Sequence, residues 1–281
     1  IDKPDLHFNT KLYTGNGSTQ SITGVGFQPD FCWFKNRTGV NWHNLFDVVR
    51  GVTKSLASNT TDIEETRANG LTVFGTDGFT LGGNDGNVNT SGQSYASWNW
   101  KAGGTAVSNT DGSITSSVSA NTDSGFSICT YTGTGVSETI GHGLGAVPNV
   151  IIVKGRSGPD AVDGWYIYHS SVGNTKFLEL QSTGASTTSS SVWDNTTPTS
   201  ITFSTTYLSK ASTNYVAYCF ANTSMIKCGS YTGNGSADGT FVFTGMKPAF
   251  VLIKQTNTSN IWELFDNKRS PSNLVDDYLS P

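Results

Sequence analysis

Apolar residues in this chain fall in short runs separated by Gly, Asn, Asp and Ser clusters, and most runs alternate with period two. Helical periodicity is nearly absent. Its best instance, Asn44 to Leu56, has apolar residues at Leu45, Val48, Val49 and Leu56 and predicts either a short helix or a strand followed by a loop. Three runs are continuously apolar: FCWF at 31–34, VIIV at 150–153 and FVLI at 250–253. Each follows a Pro and ends at a Lys. They predict central strands buried on both faces, with the Lys marking where the strand emerges into water. Two further runs, SYASWNW at 94–100 and NYVAYCF at 214–220, match aromatic for aromatic. Tyr95 aligns with Tyr215, Trp98 with Tyr218 and Trp100 with Phe220, which predicts a last strand returning to the sheet beside the first.

These runs belong to an internal repeat. The motif Tyr-Thr-Gly-x-Gly starts at Tyr13, Tyr131 and Tyr231. Each copy then carries a Pro (Pro29, Pro148, Pro248), a Lys six residues later (Lys35, Lys154, Lys254) and a Trp soon after (Trp42, Trp165, Trp262). Recurrence at one module position assigns these Trp residues to a core. Four landmarks in three copies define a tandem array of one small module, the organisation of proteins that display surface or build filaments. Module one spans about 1–103 and module two about 124–222. A polar stretch at 104–123 is either a linker or an edge hairpin. Residues 223–281 read as the start of module three. That copy stops about half way and the chain opens at Ile1 without Met, so a segment of a longer polypeptide is expected. The fold class expected is all-β: tandem antiparallel β-sandwiches of jelly-roll or lectin-like type.

Composition narrows the function. Charged residues are 14% and the net charge is −4, which argues against a general attraction to nucleic acid. No apolar stretch approaches the roughly 20 residues of a membrane helix. Cys32, Cys129 and Cys219 lie in apolar runs and read as buried free thiols, with a Cys219–Cys228 bridge the less favoured alternative. STGASTTSSS at 182–191 reads as an exposed low-complexity loop.

Candidate chemistry is sparse. Of His7, His43, His142 and His169, His142 lies in a turn-like GHGLG without a neighbouring Cys or carboxylate, and His43 and His169 lie near the module Trp, so no metal or catalytic role is expected of any of the four. Asp77 and Asp85, amid the glycines of 75–87, have the oxygen density of a Ca²⁺ site without its spacing, and Asx turns are the simpler reading. No metal, cofactor or enzymatic activity is expected. Asp47 with Arg50 and Asp266 with Arg269 read as pairs that pin a loop. Trp193, in the polar run SSVWDN, is the candidate for an exposed aromatic contact with a ligand.

The strings YTGNG, GFQPDF, GHGLGAVPN, NYVAYCFA and DNKRSP, spread over nearly the whole chain, resemble the tail-fibre and related virion structural proteins of mostly marine bacteriophages. The resemblance implies a place on the virion surface, outside the cell, with other virion proteins and further copies of the chain as partners, a trimer being common among phage fibres. It transfers no catalytic or ligand residues. The role expected is a tail fibre or surface fibre presenting a host-attachment surface to glycans. The rivals are a capsid decoration protein without a receptor, a polysaccharide depolymerase, and a cellular surface adhesin.

Overall fold

A computed structural model describes residues 3–281 except 160, 162, 197–198, 204–206 and 273–274, and leaves out the side chains of 194–196. The described residues form an all-β, antiparallel, sandwich-type fold with one 3-10 turn at Pro4–Leu6.

Unit 1 contains β1 (Phe8–Thr14), β2 (Gln20–Thr23), β3 (Phe31–Asn36), β4 (Asn44–Asp47), β5 (Lys54–Ala57), β6 (Glu65–Thr66), β7 (Leu71–Gly75), β8 (Gly78–Leu81) and β9 (Ser94–Trp100). A six-stranded sheet, β1-β9-β3-β4-β5-β6, packs on a three-stranded one, β2-β8-β7. The segment with helical spacing is thus the β4–β5 hairpin. Leu45 lies opposite Leu56 in it, and strand pairing buries both better than a lone helical turn would.

Unit 2 repeats the plan with β10 (Val107–Asn109), β11 (Ser116–Asn121), β12 (Phe126–Thr132), β13 (Glu138–Gly141), β14 (Val150–Ser157), β15 (Tyr166–His169), β16 (Lys176–Glu179), β17 (Thr187–Thr188), β18 (Trp193–Thr196), β19 (Ser200–Phe203) and β20 (Asn214–Phe220). Its large sheet runs β10-β11-β12-β20-β14-β15-β16-β17 and its small sheet β13-β19-β18. The polar stretch before the second motif therefore forms a hairpin on the sheet edge. In unit 3 the described strands are β21 (Phe250–Lys254) and β22 (Trp262–Asp266), a hairpin with one further bridge from Leu264 to Leu279.

In units 1 and 2 the aromatic closing strand, β9 or β20, lies between the first strand and the central strand of its sheet. The register repeats: Tyr13 faces Tyr95 and Tyr131 faces Tyr215, and the rings stack with centroids 5.1 and 5.0 Å apart. The first strand thus joins the central strand only through the closing strand.

Alternation along the central strands divides the burial between two cores. Cys32 and Phe34 face the small sheet of unit 1, and Ile151 and Val153 that of unit 2. The opposite face, with Phe31, Trp33, Trp98 and Trp100 from unit 1 and Phe126, Ile152, Trp165 and Tyr218 from unit 2, enters one shared core. Trp262 and Leu264 of unit 3 join it, with Phe250 and Leu252 against its margin. The repeats are therefore fused through a common interior and are not beads on a string. Cys32, Cys129 and Cys219 are buried, and all four cysteines are free thiols.

Candidate functional site

The repeat landmarks converge on the seams between units. Each landmark Lys folds back on the loop that follows its strand. Lys154 Nζ donates to the carbonyls of Ala161 and Asp163 at 2.8 and 2.6 Å, and to Thr61 of unit 1 at 3.0 Å. Lys254 Nζ likewise donates to Gln255 and Asn260, and to Thr183 of unit 2. Lys35 Nζ reaches Gly39 and Asn41. The expectation that these lysines mark strands emerging into water is corrected for Lys35 and Lys154, which are buried. Two carbonyls around the Lys35 ammonium and three around that of Lys154 replace water. Burial still pulls the Lys154 pKa down to about 8.

The 182–191 run takes part in the same seam and is not simply an exposed loop. Ser186 N donates to Thr256 O, and Asn260 N to Thr183 O. One unit earlier, Glu64 N donates to Arg156 O, and the Glu64 carboxylate accepts from both Arg50 and Arg156.

Trp165 and Trp262 anchor in the preceding unit. Their ring N–H groups donate to Ala57 O and Glu179 O, each at 2.9 Å. Trp42 departs from this pattern and corrects the core assignment: it is 37% exposed. The pairing explains why. Lys254 lies opposite Trp262, whereas continuing the Phe34–Asn44 register puts His43 opposite Lys35. His43 thus holds the inward position, and Trp42, one residue earlier, points to the other face. His43 is buried, and burial together with Lys35 pulls its pKa to about 3.

The Asp–Arg pairs are built alike. Arg50 Nε lies 2.5 Å from Asp47 and Arg269 Nε 2.6 Å from Asp266, both pairs deeply buried. Each Asp also accepts from the closing strand of another unit. Tyr218 Oη of unit 2 donates to Asp47 of unit 1 at 2.8 Å, and Trp98 Nε1 of unit 1 donates to Asp266 of unit 3 at 3.0 Å. Hydrogen bonds from Arg269 hold the Asp266 carboxyl below its usual pKa against the cost of burial. His169 occupies the corresponding position of unit 2: it faces Val150 as Asp47 faces Phe31 and Asp266 faces Phe250. Unit 2 therefore leans on unit 1, unit 3 on unit 2, and unit 1 on unit 3, in a closed cycle.

Trp193 is 2% exposed, which corrects its reading as an exposed contact. It lies opposite Phe203 across the β18–β19 pair and packs edge-on against Tyr168. Its polar sequence neighbours reveal nothing about the inward face of a strand. Asp77 accepts from the Gly24 and Gly26 amides, and Asp85 from Arg67 and the Asn87 amide. Both carboxylates thus clamp loops, and among the described residues no group of three or more His, Cys, Asp or Glu is placed to hold a metal. Two shallow clefts flank unit 1, one beside Val48, Val52 and Phe74, the other where Asp30, Lys101 and Asn121 meet.

The exposed aromatics gather in unit 3. Tyr231, Phe241 and Phe243 are 51%, 87% and 83% exposed, in a segment without assigned strand. Sequence reasoning passed over this segment, although the FVF triplet at 241–243 was a visible signal.

Residues 3–281, all three units, match the family described as Domain of unknown function (DUF7483). The chain belongs to the DUF7483 family. Neither the search of curated proteins nor that of solved structures returned a match. The DUF7483 match runs through the seams as well as the units, as the shared core would require.

Proposed function

We propose that this DUF7483 chain is a virion structural component of a bacteriophage, part of a tail fibre or other surface fibre that carries a host-attachment surface. The observation that carries the reading is the common core. Three copies of one module interlock through buried Trp, Tyr and Asp–Arg contacts into a single block. A block of this kind transmits load and spaces a surface, and its chemistry-bearing groups serve the seams. The phage setting rests on the resemblance of the repeat strings. Low charge and a composition rich in Ser, Thr and Asn suit weak, multivalent contact with glycans, without turnover. Other virion proteins and further copies of the chain are its partners in this reading, on the virion surface.

Gold-labelled antibody against the chain, viewed on intact particles by electron microscopy, tests the proposal. Label on fibres projecting from the tail is the expected result. Label over the head would replace attachment with capsid decoration, and particles without label would overturn the virion assignment.

A further inference from the structure

The loop after β4 in unit 1 differs from its counterparts in the other units. Asp47 is followed by Val48 and Val49, where His169 of unit 2 is followed by Ser170 and Ser171 and Asp266 of unit 3 by Asn267 and Lys268. The module therefore folds with polar residues at these two positions, and the valines of unit 1 answer some other need. Val52, further along the loop, is 41% exposed, and Val73 on β7 is 47% exposed. With Phe74, Thr72 and Gln28 these valines line one cleft of about 510 Å³, within the roughly 300–1,000 Å³ of small-ligand sites. A contiguous apolar lining of this kind marks a place of contact, as single exposed side chains do not.

The cleft is also held in shape. Thr53, a β-branched residue next to Val52, has φ 64°, a backbone region such residues rarely enter. Two main-chain bonds keep it there: Thr53 N donates to Leu71 O and Arg67 N to Thr53 O, each at 2.8 Å. The loop is thereby tied to β7, the other wall, and strain of this sort persists where a site requires it. Gln28 lies between this cleft and a second, more polar one lined by Lys101 and Asp123. Asp30, only 2% exposed, fixes that junction. It accepts from Gln28 Nε2 at 2.9 Å and from the Ala102 and Gly104 amides at 2.8 and 3.1 Å. With its N–H group so engaged, Gln28 keeps its oxygen as an acceptor for a ligand.

We propose that the two clefts form one saccharide site, which takes an N-acetylated amino sugar followed by a second sugar ring. An acetamido group carries a methyl for the valines and an N–H for the Gln28 oxygen. A plain hexose would bring only hydroxyls to the apolar wall, where they find no partner. Phe74 supplies an aromatic ring for the C–H groups of the first sugar. The second sugar lies past Gln28, its hydroxyls between the Lys101 ammonium, which donates, and the Asp123 carboxylate, which accepts. The source of the sugar, a glycan of the host surface, rests on the attachment reading above, whereas binding itself is a property of the isolated chain.

The test uses the intact 281-residue protein with isotope-labelled valine methyls, read by NMR. The probe is N,N′-diacetylchitobiose, and the control is cellobiose, the same two rings with hydroxyls in place of the acetamido groups. The methyl signals of Val48, Val49, Val52 and Val73 are expected to shift with the probe and to stay in place with the control. Phe74→Ala and Gln28→Ala are each expected to weaken binding about tenfold, with the methyl signals outside the cleft reporting that the fold is kept. Val136→Ser, at a 60% exposed valine of unit 2, is expected to leave binding unchanged. Unshifted cleft methyls at the solubility limit of the probe, equal shifts with cellobiose, or full binding in both cleft variants overturns the proposal. Binding by a chain that gold labelling places on the head upholds the site and sinks the tail-fibre reading alone. Labelled fibres whose chain does not bind the probe sink the site alone.

Discussion

Units 2 and 3 start from nearly the same instructions and end in different states. Both carry the Tyr-Thr-Gly-x-Gly motif, the Pro, the apolar run and the Lys. In unit 2 the central strand β14 is bonded on both edges and its Lys154 is fully buried. In unit 3 the corresponding β21 is only partly buried along its length, Lys254 included. Among the described residues unit 3 has neither a strand in the closing position nor a small sheet over the outer face of β21. The strongly apolar FVLI run is not enough to bury itself, because burial on two faces requires a packed layer on each, and in unit 3 only the shared core supplies one. The half-built unit is nonetheless held, since Trp262, Leu264 and Asp266 dock in contacts supplied by the other units.

Perturbations on the two sides of this contrast differ in size. Trp98→Ala, on a closing strand, removes a fully buried ring and the donor to Asp266, and is expected to cost about 3–5 kcal/mol. Urea denaturation should show this as one cooperative transition at lower midpoint, because the core is common to the units. A separate early transition for unit 3 would instead show that the open unit is only loosely attached. Asp47→Asn leaves Arg50 buried without its anion and is expected to cost about 3 kcal/mol by the same measurement.

Lys154→Met strips the donor from three carbonyls and is expected to cost roughly 1–3 kcal/mol. Lys254→Met, at a partly buried position, should cost well under half of that. Equal losses would show that the Lys254 ammonium is held as firmly as that of Lys154.

Acid should act on unit 1 through His43. The unfolded ring protonates near pH 6.5, whereas the folded one stays neutral until about 3. Its contribution is therefore complete above about pH 6.5 and is lost at about 1.4 kcal/mol per pH unit as acid is added toward about 3. Stability measured against pH should fall less steeply in His43→Leu than in the unaltered chain. The smallest effect belongs to the exposed segment around Phe243: Phe243→Ser should change the stability read from urea denaturation by less than about 0.5 kcal/mol.

Local pattern carried much of this into the sequence. The Pro-to-Lys runs became β3, β14 and β21, and the matched aromatics became β9 and β20. The Asp–Arg loop pins were equally legible, because their groups lie three residues apart. The seams were not. Trp42 counts as a landmark by spacing, but a one-residue offset turns it outward and hands its place to His43. Trp193 sits among serines yet faces a core, because in a strand the neighbours point the other way. The cycle joining Trp98 to Asp266 spans 168 positions, and nothing in local pattern records such a distance.

The placement of the closing strand also dictates a timetable. A ribosome releases the first strand of each unit early and the strand that fixes it last. Until β9 emerges β1 has nothing to bond, until β20 emerges β12 has only β11, and in both units an apolar central strand waits with one edge bare. Nascent units 1 and 2 must each pass through a form resembling unit 3 in this structure. The stretch most exposed to wrong pairing or to proteases during synthesis is therefore the run between the Tyr motif and the central strand, and the danger ends when the last aromatic strand slides into place.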